Sequence, residues 1–172
     1  VARISSFPPI EAPSARTLIL GTMPGAASLA AREYYAHPRN LFWTICAELL
    51  RFARDEPYAD RVAHLRAAGV AVWDVLHSCD RRGSLDSDIA RTSIVANDFE
   101  RFFTIHRHIE RVFFNGTAAA TLFRRHVQAV GAAPLAINYT RLPSTSPANA
   151  GISPAAKRRA WRVVVEPAEA KV

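Results

Sequence analysis

Cysteine, lysine and methionine are scarce in this 172-residue chain. The 2 cysteines, Cys46 and Cys79, are too few for a disulfide framework or for a four-cysteine metal or iron–sulfur site, and leave room for one bridge at most. Histidine does not fill the gap. His106 and His108 stand two apart, whereas two ligands on one helical face need a spacing near four. No metal and no cofactor is therefore expected. The only lysines, Lys157 and Lys171, fall near the C-terminus and outside any motif that suggests Schiff-base chemistry. Long apolar runs are missing too: none approaches the ~18 residues needed to span a bilayer. Val1 to Pro13 lacks the charged and apolar blocks of a secretory leader. A soluble, cytoplasmic protein with no membrane partner is the expectation.

What is present is an apolar half and an arginine excess. With 49% of positions hydrophobic, the chain can bury a real core, and one domain over 1–172 is the default, with 1–13 as an extended lead-in on its surface. The 22 Lys and Arg against 15 Asp and Glu leave a formal charge of +7, which favours polyanions such as nucleic acid or an anionic membrane surface. Taken alone, that charge is more simply explained as the solvated faces of arginine-bearing helices.

The apolar pattern alternates between strands and helices. Thr17 to Leu20 is a short buried strand stopped by the glycine loop Gly21-Thr22-Met23-Pro24-Gly25. Pro38 suits a first helical position, and Leu41, Phe42, Ile45, Cys46, Leu49 and Leu50 follow at helical spacing, which puts Asn40 in the first turn. Ala59 to Ala68 reads as a helix ended by Gly69, and Val70 to Leu76 as a strand running into the polar segment His77 to Asp88. Asn97 and Glu100 have capping-box spacing for a helix to about His108. The strand Arg111 to Phe114 ends at Asn115-Gly116, and Thr117 to Val127 is helical. A last strand near Leu135 to Leu142 meets the loop Pro143 to Gly151, and Ser153-Pro154 caps a terminal helix to Val165. This order predicts an α/β fold, a three-layer α/β/α sandwich with a mainly parallel central sheet. Sites in such folds gather at the carboxyl ends of strands, where all the informative loops lie.

The glycine loop lacks the lysine of a nucleotide P-loop and the spacing of a dinucleotide fingerprint. Downstream, Tyr34-Tyr35-Ala36-His37-Pro38-Arg39-Asn40-Leu41-Phe42-Trp43 packs aromatics, a cation and a carboxamide into ten positions. With Gly21 to Gly25, it resembles the first motif of the hypoxanthine-DNA glycosylase branch of the uracil-DNA glycosylase superfamily. Leu142-Pro143-Ser144-Thr145-Ser146-Pro147-Ala148-Asn149-Ala150 is similar to that superfamily's minor-groove loop. Trp73 to Cys79, Gly83 to Asp88 and Phe113 to Gly116 resemble the branch's intervening signatures, in the family's order.

The resemblance implies hydrolysis of the bond between a damaged base and deoxyribose in DNA. A base inside a duplex is unreachable, so the enzyme must flip it out, stack it, read its edge and fill the gap. Tyr35 and Phe42 are candidates for the stacking wall, with core packing as the other reading of each. Departure of the base leaves an electron-poor sugar, so water needs orientation more than deprotonation. The family match assigns that role to Asn40, which without it would be a residue satisfying helix-end amides. Many superfamily members carry Asn, Asp or Gln where this chain has Met23, a departure that points away from ordinary uracil excision.

Backbone amides at Thr22 and Met23 can steady the departing base. Asp74 and Asn115 can read it, or else serve as a cap and a tight turn. Ser144, Thr145 and Ser146 can hold phosphates, Pro147, Ala148 and Asn149 can wedge the minor groove, and Lys157 and Arg158 follow at a helix start that favours anions. The partner is then DNA carrying a deaminated base, and a monomer suffices. A uracil- or xanthine-directed enzyme, a catalytically silent nucleic-acid-binding module and a nucleotide-hydrolysing α/β enzyme stand as alternatives.

Overall fold

The computed structural model describes residues 2–167. Its centre is a four-stranded parallel sheet of β2 (Thr17–Gly21), β3 (Val70–Asp74), β6 (Arg111–Asn115) and β7 (Asn138–Leu142), in the order β3-β2-β6-β7. β2 is buried along its whole length because neighbours pair with it on both sides and helices cover both faces, which is why its sequence is a continuous apolar run. A smaller antiparallel sheet, β1-β4-β5, joins β1 (Ala2–Ser5), β4 (Leu76–Arg81) and β5 (Val95–Ala96).

Two helical layers cover the central sheet, completing the expected three-layer α/β/α sandwich. One holds α2 (Phe42–Leu50), α3 (Tyr58–Ala67) and α6 (Pro154–Trp161), locked by edge-on packing of Phe42 against Trp161 and of Trp43 against Tyr58. The other holds α4 (Phe99–Ile105) and α5 (Thr117–His126), joined through Phe99 and Phe123, with Trp73 and Phe114 rising to them from the sheet. The short α1 (Ala26–Ala31) follows the glycine loop.

Four local expectations are corrected. The lead-in is built into the fold: residues 2–5 pair with β4, and Ile10 exchanges both backbone hydrogen bonds with Val72 at 2.8 Å, closing the free edge of β3. Val1 lies outside the described residues. The run Val70 to Leu76 is two strands, because after Asp74 the chain leaves the parallel ladder and β4, from Leu76, pairs antiparallel with β5 and, from Ser78, with β1. α2 starts at Phe42 and not at Pro38, since Asn40 N–H closes a turn onto the His37 carbonyl at 2.8 Å. Asp98, not Asn97, caps α4 by accepting from Arg101 N–H at 3.0 Å, while the Asn97 amide donates to the Asp74 carbonyl at 2.8 Å.

Candidate active site

The carboxyl ends of β2, β3, β6 and β7 open into one cleft of about 1090 Å³. Thr22, Met23, Tyr35, Asn40, Asp74 and Asn115 line it, and so does the loop from Ser144 to Asn149. Segments more than 100 positions apart in sequence thus share one cavity, with Asn40 and the serine-proline loop on the same opening. The Leu41 N–H donates to the Thr145 carbonyl at 3.0 Å, which ties the two directly.

At the floor, β2 and β3 run in register so that Gly21 sits beside Asp74. A Cβ on Gly21 would lie 2.5 Å from Asp74 Oδ1 and 2.9 Å from the Tyr35 hydroxyl, so only glycine lets those two groups converge. Gly21→Ala is expected to cost about 1–3 kcal/mol of stability through overpacking. It should also lower kcat/KM about tenfold by displacing the pocket wall. Thermal unfolding and single-turnover kinetics check the two halves.

Tyr35 holds a left-handed backbone with φ of 55°, an unfavourable conformation for an aromatic residue. Its neighbours impose it: the Trp43 indole donates to the Tyr34 carbonyl at 2.7 Å and the Ala36 N–H to Ser28 Oγ at 3.1 Å. The strain turns the Tyr35 ring into the cleft, stacked on Phe42 with centroids 4.0 Å apart and planes 24° from parallel. Phe42 itself is 0% exposed, so it backs the platform from the core and is not a contact for a ligand, a correction to its expected stacking role. Asn40 is half-buried on the cleft wall, and its Oδ1 accepts from the Phe42 N–H at 3.0 Å. The helix-end role and the cleft position coexist, because a carbonyl oxygen has two lone pairs.

The loop after β7 is braced from within. Asn115 accepts from the Thr145 N–H at 2.8 Å and donates to Thr145 Oγ1 at 2.9 Å, both bonds buried. Gly116, with φ of 100°, lets the loop approach so closely that a Cβ there would meet the Ser144 Cβ at 2.8 Å. Two expected contact roles change accordingly, and one gains a second duty. Asn115 pins the loop with one N–H and one lone pair, and it lines the cleft with the other N–H and lone pair left for the base-reading role expected of it. Thr145 is 0% exposed with hydroxyl, N–H and carbonyl all bonded, so it cannot hold a phosphate. Lys157 is 3% exposed and donates to the Ser146 and Asn149 carbonyls at 3.3 and 2.8 Å, which makes it a brace inside the loop. Arg158 pairs with Glu48 at 3.0 Å on the helix surface. Ser144, Ser146, Pro147, Ala148 and Asn149 keep exposed or half-exposed surface at the rim, where Arg39 and Arg141 add exposed cations.

Arginine 81 went unnoticed in the sequence. It is 3% exposed, donates to the Pro24 carbonyl at 2.5 Å and to the Gly83 carbonyl at 2.8 Å, and so clamps the glycine loop to the 83–88 loop. Ser84 adds a second tie by accepting from the Ala26 N–H at 3.0 Å. No signal separated Arg81 from the other arginines, since its two partners are backbone carbonyls that only the fold brings near.

Asp74 is 3% exposed and lines the cleft. Burial, reinforced by the charge of Asp86 and opposed by Arg81, pushes its carboxyl up to about 7. Burial likewise drives the Tyr35 hydroxyl far above the usual tyrosine range, with Asp74 adding to the effect, so it stays protonated. Of the buried polar atoms without a hydrogen-bond partner among the described residues, Tyr35 OH and Asp74 Oδ2 belong to residues that line this cleft, whereas Arg81 Nη1, His106 Nδ1 and Arg158 Nε lie outside its lining. Buried polar atoms are normally paired, so orphans of both kinds at one cavity floor mark where a polar ligand fits. Among the described residues there is also no cluster of three or more His, Cys, Asp or Glu able to hold a metal ion. His77, by contrast, is exposed and does not line the cleft, and Ser78 accepts from Arg3 at 2.8 Å.

Comparison with known proteins places this geometry. The family model described as the uracil DNA glycosylase superfamily matches residues 8–165. A hypoxanthine DNA glycosylase of Methanosarcina barkeri is 31% identical over 111 residues, covering 64% of this chain and 69% of that protein. One from Methanosarcina acetivorans is 30% identical over 114 residues, with 66% and 71% covered. A solution NMR structure from Methanosarcina acetivorans, provisionally assigned as a uracil DNA glycosylase, superposes with a TM-score of 0.78 at 27% identity over 95% of this chain and 97% of that one.

Proposed function

This chain belongs to the uracil DNA glycosylase superfamily, and we propose that it removes hypoxanthine from DNA by hydrolysis of the N-glycosidic bond. The observation that carries the reading is the single cleft in which Asn40, Tyr35, Asp74 and the Ser144 loop meet. The reading needs one domain and one copy of the chain, because Asn40, Tyr35, Asp74 and the Ser144 loop already meet in one cleft. It acts inside the cell on DNA, and no described helix is long and apolar enough to cross a membrane.

A flipped base slides between the cleft walls and stacks on Tyr35, whose ring cannot retreat because Phe42 lies behind it. Asn40 orients a water toward C1′ of the sugar as the bond to the base stretches. Electron density then flows into the base, where the amides of the Thr22-Met23 turn and the floor groups receive it. Met23, buried at 7% exposure, has no side chain able to position water, so the attacking water comes from the Asn40 side. Lys157 is a loop brace and does not enter the chemistry, while Lys171 lies outside the described residues. The product is an abasic site in an intact strand.

On the DNA side, Ser144 and Ser146 with Arg39 and Arg141 contact phosphates. The loop expected to fill the vacated gap offers only small side chains at its tip, Pro147 and Ala148. Two large apolar residues of the cleft lining are exposed, Leu85 at 52% and Ile152 at 39%, and Leu85, the more exposed, sits on the 83–88 loop that the Arg81 and Ser84 ties hold in place. Leu85 therefore inserts into the gap left by the flipped base. Leu85→Ala should lose about 1.5–3 kcal/mol of that contact, slowing excision from duplex about tenfold or more. Excision from single strands, which have no stack to refill, should be unchanged.

The test of function is a panel of labelled oligonucleotides carrying inosine, uracil or xanthine, assayed under single-turnover conditions. Inosine should be processed fastest. Preference for uracil would redirect the reading within the family, and base release from none would leave the silent binding module.

A further inference from the structure

We infer that Asp74 is a catalytic acid: its carboxyl donates a proton to a ring nitrogen of the departing purine as the glycosidic bond breaks. The inference rests on the glycosylase reading above and assigns one group within it. Its basis is placement. Asp74 ends β3 at the floor of the cleft, and its Oδ1 occupies the space that a side chain on Gly21 would take. Its Oδ2 is buried with no partner among the described residues, on a residue that lines the cleft. The groups around it come from three elements. Asp86, on the 83–88 loop, adds negative charge; Arg81, on β4, is positive but directs its guanidinium to the Pro24 and Gly83 carbonyls; Tyr34 and Tyr35 are neutral phenols.

Nothing in that surrounding compensates a buried carboxylate fully, which favours the neutral acid. The chemistry requires the same form. A departing purine takes the bonding pair onto its ring, and an anionic floor would repel it. A carboxyl O–H facing the ring instead neutralises the charge as it grows.

The step balances without any further reagent. The water oxygen forms the new bond to C1′ while the C1′–N9 pair moves into the purine. The Asp74 proton passes to a ring nitrogen, so hypoxanthine leaves neutral, and a proton released by the attacking water restores the Asp74 carboxyl. Neither oxidant nor metal is involved.

Three readouts test this on the intact protein. In single-turnover excision from inosine duplex, the wild-type rate should fall as pH rises through about 7. Asp74→Asn should be slower by about 100-fold at low pH and lack that limb. A wild-type rate that climbs through the same range would make Asp74 an anionic partner of the sugar cation and overturn the proposal, as would an unchanged limb in Asp74→Asn.

Binding to a duplex with 2′-fluoro-substituted deoxyinosine, whose sugar resists cleavage, should stay within about threefold of wild type in Asp74→Asn, placing the loss in chemistry. A binding loss that accounts for the whole rate loss would reduce Asp74 to a contact and contradict its role as acid.

The third readout needs no activity. The folded protein holds a proton on Asp74 that the unfolded chain releases near its ordinary 3.8, so stability falls as pH rises from about 4 through about 7. Asp74→Asn should remove that fall, with a Tm advantage at pH 8 that narrows toward pH 4. Parallel Tm curves would overturn the assignment. If wild type releases no base while the Tm curves behave as described, the glycosylase reading fails and not the protonation of Asp74.

Discussion

Asn40→Ala should retain the fold and the affinity for inosine-containing DNA, yet excise hypoxanthine on the order of 10³-fold more slowly. The side chain has two separable duties. Its Oδ1 accepts the Phe42 N–H at 3.0 Å, a helix-end bond whose loss costs about 1 kcal/mol, or roughly 2–4 °C in Tm for a chain of this size. The second duty is the one proposed above, orienting water at the sugar, and Met23 on the glycine loop has no polar side chain to share it. A thousandfold rate loss corresponds to about 4 kcal/mol, well beyond the helix-end effect. Asn40→Asp keeps an acceptor for both partners and should recover part of the rate. Equal small losses of rate and stability in Asn40→Ala would show that the residue only closes the turn before α2.

Asn115→Ala should behave differently, by losing stability and activity together. It removes both bonds to Thr145, at 2.8 and 2.9 Å, and leaves the Thr145 N–H and hydroxyl buried without partners. Each orphaned group costs about 1–3 kcal/mol, so a total of about 2–5 kcal/mol and a fall in Tm of roughly 5–15 °C are expected. The loop from Ser144 to Asn149 then loses its anchor to the sheet, and duplex DNA should bind more weakly. Asn115→Asp, which still accepts from the Thr145 N–H, should recover part of both. The measurement is a thermal melt beside DNA titration. A variant with wild-type Tm but lost selectivity among bases would instead leave Asn115 with reading the base alone.

The contrast between these residues shows what was legible in the sequence. The parallel sheet was visible because strands buried on both faces have to be continuous apolar runs, as Leu18 to Leu20 and Val70 to Val72 are. The site was visible as a set of strand-end loops, and Asn40, Tyr35, Asp74 and Ser144 do line one cleft. Which atoms face the cavity was not legible. Phe42, Thr145 and Lys157 carry the right chemistry at motif positions, yet packing turns each inward. Their partners lie far along the chain or are backbone carbonyls, which leave no mark in residue type. Arg81 and Leu85 were missed for the complementary reason: one acts through two carbonyls, and the other is informative only because it is exposed.

The most direct test of the account is the fate of both products when wild-type protein meets duplex DNA containing inosine. Free hypoxanthine should appear in step with abasic DNA, the strand should remain whole until treated with alkali, and borohydride should trap no protein–DNA adduct. Strand breakage before alkali, a trapped adduct, or intact inosine after prolonged incubation would contradict hydrolysis by a water held in this cleft.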